Sequence, residues 1–62
     1  MLEQDIKQLE EVITNHLRMA NESEGTYNAE LHKNCIYGME LVLVAAGYKV
    51  TYNDDTAHIE KF

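Results

Sequence analysis

The segment Met39-Glu40-Leu41-Val42-Leu43-Val44-Ala45-Ala46 has one polar side chain, Glu40, in eight residues. On a helix of 3.6 residues per turn, such a run is apolar around nearly its whole circumference and needs cover on more than one side. Strand composition is the rival reading of Leu41 to Val44, because a short apolar run has no diagnostic period. Helix is the better assignment. The run continues a helical pattern that starts near Asn28, has no turn signal before Ala45-Ala46-Gly47, and ends on a glycine suited to close a helix in the left-handed conformation.

Upstream, Leu2, Ile6, Leu9, Ile13, Leu17 and Ala20 recur at steps of four, three, four, four and three, the period of an amphipathic helix. Glu3 and Asp5 complement the positive end of its dipole, and His16 lies beside the stripe. Asn21-Glu22-Ser23-Glu24-Gly25 interrupts the pattern with short polar side chains and a glycine free to take positive φ, and Thr26 or Asn28 offers a cap to the next helix. Beyond Gly47, Tyr48, Val50 and Tyr52 alternate with Lys49 and Thr51, and Ala57 and Ile59 alternate with His58 and Glu60. With Asn53 opposite Thr56, Val50 meets Ile59 on the inner face and Lys49 meets Glu60 on the outer one. The expected fold is therefore α+β in the order ααββ: helix about 2–21, helix about 28–46 and an antiparallel hairpin about 48–61, in one domain.

Sixty-two residues bury a small core, which supplies about 3–5 kcal/mol unless something staples it. Cys35 is the single cysteine, so no internal disulfide helps, and no paired Cys/His spacing points to structural zinc. A homo-oligomer or a partner protein is the expected source of further burial. On the second helix, Leu31, Cys35 and Val42 read as one apolar stripe. Tyr37, Leu41 and Val44 form a second face that the first helix need not cover, and tyrosine is enriched at binding hot spots. These three are the expected interface. The competing use is that the hairpin folds over them within one chain. Gly38, in mid-helix, suggests close approach of another backbone or simple tolerance.

Eleven acidic against five basic residues give a formal net charge of −6, and residues 1–26, with six acids and two bases, carry −4 of it. Direct nucleic-acid binding is not expected without clustered Lys and Arg. Glu10, Glu11, Glu22 and Glu24 read as an acidic, solvated surface. The absence of a long apolar span and the acidic start point to a cytoplasmic, non-membrane protein. His32 and Cys35 share a helical face, but two ligands are not a site; no metal and no cofactor are expected, and Cys35 reads as a partly buried structural residue. No catalytic constellation stands out, and Asp54-Asp55 fit a hairpin turn. The expectation is a non-enzyme.

The ending Ala-Ala-Gly-Tyr-Lys-Val of a helix bearing Tyr37 and Gly38, followed by a hairpin closing on Ile59, resembles small proteins encoded by phages and prophages of Gram-positive bacteria. The resemblance spans residues 27–62 and implies an accessory factor that binds and modulates a host protein. It assigns no functional residue. The expected function is thus a small acidic interaction module acting as a homo-oligomer. The alternatives are an acidic mimic of nucleic acid that inhibits a DNA- or RNA-binding host protein, and a small-ligand binder with an intersubunit pocket.

Overall fold

The computed structural model describes residues 2–62. Helix α1 runs Glu3–Glu22, α2 Tyr27–Ala45, and strands β1 Tyr48–Asn53 and β2 Thr56–Lys61 form a two-stranded antiparallel sheet. This is the expected ααββ order, with helix limits shifted by one residue. Local chemistry explains each junction. Thr26 Oγ1 accepts the Ala29 N–H at 3.2 Å and donates to the Ser23 carbonyl at 2.6 Å, so one hydroxyl both caps α2 and closes the loop. Gly25 takes φ +85° within that loop. At the far end of α2 the Ala46 N–H reaches the Leu43 and Val42 carbonyls, and Gly47 at φ +92° turns the chain into β1.

The hairpin has the expected register, with Val50 opposite Ile59, Thr51 opposite His58 and Asn53 opposite Thr56. Lys49 and Glu60 face each other on the outer side with Nζ and Oε2 3.9 Å apart, an exposed pair that contributes little. Asp54 makes the turn at φ +56°, a conformation that aspartate tolerates better than most residues.

Both helices lie on the inner face of the hairpin, and the molecule is only 16 Å through its thinnest dimension. That leaves room for one core layer. Ile13, Ile36, Leu43, Ala57 and Ile59 form it, with Ile6, Leu9, Leu17, Met39, Tyr48 and Val50 packed around them. On α1 the expected stripe faces inward from Ile6 to Ala20, whereas Leu2, just before the helix, is exposed. On α2 the buried stripe is not the expected one: Ala29, Ile36 and Leu43, seven residues apart, point inward, while Leu31, Cys35 and Val42 are exposed. Cys35 is accordingly corrected from a partly buried structural residue to an exposed thiol. The reason is geometric. A helix apolar on all sides carries no phase information, and the small Ala29 is buried beside the inter-helix turn, where Ala20 is buried too.

Candidate functional site

The sheet has two edges, and they are treated differently. In an antiparallel ladder the residues that do not bond across the pair aim their N–H and C=O groups outward. On β2 these are Ala57, Ile59 and, at its end, Lys61. The Ala57 N–H donates to Thr14 Oγ1 at 3.0 Å and the Ile59 N–H to Glu10 Oε2 at 2.7 Å. The spacing is matched: four helical residues advance about 6 Å and two strand residues about 7 Å. Two side chains one turn apart on α1 therefore satisfy alternate amides of β2, and the edge is closed over Ala57 and Ile59. Glu10, expected as solvated surface, is corrected by this contact; its carboxylate is a half-buried part of the fold. Neither Thr14 nor Glu10 announces this role in the sequence, since the partner amides lie more than forty residues away.

The β1 edge is open. Tyr52 and Val50, the partners of Ala57 and Ile59, must direct their backbone groups the opposite way, and among the described residues no hydrogen bond meets their outward amides. The Tyr52 hydroxyl donates to Glu40 on α2. Tyr37 and Val44 sit one turn to either side of Glu40, so their face of α2 looks the same way as β1. Tyr37, Leu41 and Val44 are 61%, 55% and 52% exposed. The hairpin does not fold over them. An unpaired strand edge and an uncovered apolar helix face thus adjoin, linked by the Tyr52–Glu40 contact.

Partial burial pushes the Tyr52 phenol well above its ordinary value near 10, and the Glu40 carboxylate adds to this by accepting its proton and repelling the phenolate. A raised folded-state value means this stabilisation is complete below the unfolded-state pKa near 10 and is lost as pH climbs past it. Tyr52→Phe is expected to lower stability at pH 7 by only about 0.5–1 kcal/mol, because the pair is partly solvated. The same change should flatten the fall in stability above pH 10. Urea denaturation from pH 7 to 11 checks both; an unchanged alkaline slope counts against the contact.

The other flank of the helices carries a different surface. Leu9, Met39, Val42 and Leu43 line an open groove of about 500 Å³ between α1 and α2, bordered by His16, Asn34, Cys35 and Gly38. A Cβ placed on Gly38 would meet nothing within 4 Å, so no neighbouring group in the chain requires this glycine. His16 and His32 meet across the two helices, with their Nδ1 atoms 2.8 Å apart and ring centroids 5.0 Å apart. That convergence was not readable from the sequence. His32 and Cys35 do share a helix turn, but His32 takes its partner from α1.

Glu11, Glu22 and Glu24 are exposed as expected. They do not stand alone: Glu10 and Glu11 line a cleft of about 430 Å³ between α1 and β2 together with Lys7, Arg18 and His58. Asn21 Nδ2 donates to Asp55 at 3.1 Å, tying the end of α1 to the hairpin turn. Among the described residues no three His, Cys, Asp or Glu side chains converge as metal ligands, and no helix is long and apolar enough to cross a membrane. The chain matches no protein-family model, no curated protein and no solved structure.

Proposed function

We propose that the protein is a non-enzymatic interaction module that works as a homodimer, joined through the β1 edge and the Tyr37–Leu41–Val44 face, with a host protein as its further partner. The observation that supports it is the asymmetry of the sheet: α1 closes one edge with Thr14 and Glu10, and the other is left with unpaired amides beside apolar side chains. Two copies of β1 can pair antiparallel about a two-fold axis at Val50, giving a four-stranded sheet. In that register Lys49 of one copy falls opposite Thr51 of the other, so no like charges oppose. A stable dimer needs roughly 800 Å² per copy, more than one six-residue edge supplies, and the α2 face beside it adds the rest. The groove on the opposite flank stays free for the other partner.

The acidic-mimic alternative gains less support. Glu10 is engaged with Ile59, and Lys7 and Arg18 interrupt the acidic surface around Glu11. A phosphate mimic needs a continuous anionic face.

Light scattering on a sizing column at 100 µM is expected to give twice the 7.1 kDa chain mass. Leu41→Glu with Val44→Glu should return a monomer, since both residues are exposed and each copy would bring new charge to the axis beside Glu40. Val42→Glu is the control, because Val42 is 68% exposed on the other flank; it should leave the dimer intact. A monomeric wild-type protein, or a dimer broken equally well by Val42→Glu, rules the reading out.

A further inference from the structure

The open groove between α1 and α2 has the walls of a helix-binding site, and we infer that its occupant is a basic amphipathic helix of the protein partner. This rests on the dimer reading only in that pairing through β1 leaves the groove free. The apolar surface runs on beyond the groove itself. On α1, Val12 lies between Leu9 and His16 at helical spacing and Met19 follows His16 by three residues; on α2, Leu31 precedes Cys35 by four, and all three are exposed. The stretch from Leu31 to Val42 measures about 16 Å along the helix axis, which three turns of a third helix match.

Three features choose the occupant. The walls are two helices whose backbone groups bond internally, and of the two strongly polar side chains lining the groove, His16 and Asn34, the first already has its Nδ1 held by His32. An extended segment seated there would bury unpaired amides, whereas a helix satisfies its own. Gly38 is the second feature. A mid-helix glycine costs helix stability relative to alanine, nothing in the chain lies within 4 Å of where its Cβ would stand, and it lines the groove. The missing side chain leaves a notch for a large apolar residue of an incoming helix. Charge is the third. Among the described residues no Lys or Arg lines the groove: Lys7 and Arg18 face the β2 cleft, Lys33 is on the far side of α2 from Cys35, and Lys49 and Lys61 belong to the hairpin. Asp5 stands one turn before Leu9, Glu30 one turn before Asn34, and Glu22 and Glu24 sit at the inter-helix turn beyond His16. An acidic frame around an apolar floor complements a helix that carries Lys or Arg beside its apolar stripe.

The probe is a model helix of about fourteen residues built of leucine and lysine, with leucines at every third and fourth position, compared with a twin that has glutamate in place of lysine. Cys35 reads occupancy in the unaltered protein, because its exposed thiol lines the groove. The lysine peptide at saturation is expected to slow alkylation of Cys35 by uncharged iodoacetamide several-fold, and the twin to leave it unchanged. Val42→Glu should weaken peptide binding about tenfold or more, since it sets a carboxylate on the apolar wall. That variant is more acidic than the wild type, so attraction by net charge alone would tighten binding instead. Gly38→Leu keeps the charge, should raise the melting temperature through helix propensity, and should block the peptide by filling the notch. Unslowed alkylation, equal binding of the glutamate twin, or undiminished binding to Val42→Glu overturns the inference. Alkylation that slows as the protein alone is concentrated means that a second copy fills the groove, and overturns it as well. Light scattering reads the dimer and Cys35 reads the groove, so each proposal fails separately.

Discussion

Ile13→Ala is expected to leave the protein largely unfolded at room temperature. Among the described residues Ile13 is the one large side chain with no exposure at all, and it sits where both helices and β2 converge on Ile36, Leu43, Ala57 and Ile59. Removing three buried carbons loses their transfer free energy and leaves a cavity, together about 3–4 kcal/mol at a site that cannot collapse. Collapse is difficult here because the core is a single layer, so no second shell can move inward. The total stability expected of such a chain is about 3–5 kcal/mol, so the substitution removes most of it. Ile13→Val, losing one methylene, should cost about 1 kcal/mol and keep the fold. Urea melts followed by far-UV circular dichroism compare the three proteins, at several concentrations because dimerisation would shift the midpoint. A loss below 1.5 kcal/mol for Ile13→Ala would mean that the core does not centre on this residue.

The sequence carries Ile13 openly, as the middle of a stripe with helical period, and it carries the junctions with equal clarity. Gly25, Thr26 and Gly47 are each required by backbone chemistry that depends on a few neighbouring residues, and the facing of Lys49 with Glu60 selects the hairpin register. What cannot be read is anything that depends on phase or distance. Helix α2 is apolar around Leu41 to Val44 on every side, so periodicity cannot choose between Leu43, which is buried, and Val42, which is the most exposed of the group. The exposure of Tyr37, Leu41 and Val44 agrees with reading them as a separate face, whereas Leu31, Cys35 and Val42 turned out to lie off the buried stripe. Glu10 looks like any surface carboxylate until β2 is brought beside it. His16 and His32 lie sixteen residues apart, and only the pitch of the helical hairpin places them in contact.

Docking of the sheet onto α1 should depend on Thr14 and Glu10 more than on any surface charge. Thr14→Val keeps the shape of the side chain and removes the acceptor for the Ala57 amide, which is sealed from water. An orphaned buried donor costs about 1–3 kcal/mol. Glu10→Ala does the same to the Ile59 amide, whereas Glu10→Gln retains a carbonyl oxygen at the same reach and should lose much less. The two sites are one helical turn apart and hold one strand, so their effects should not add: once Thr14→Val lets β2 lift, Ile59 reaches water and the second loss shrinks. A double-mutant cycle is expected to give a coupling of about 0.5 kcal/mol or more, and hydrogen exchange should show the Ala57 and Ile59 amides losing protection together. The released edge has a further consequence. With both β1 and β2 then presenting unpaired amides, pairing need no longer close on a two-fold dimer, and the Thr14→Val, Glu10→Ala protein should form larger assemblies that the wild type does not. Additive stability losses, with Ile59 still protected in Thr14→Val, would instead mean that each contact acts alone and that α1 does not hold the strand as a unit.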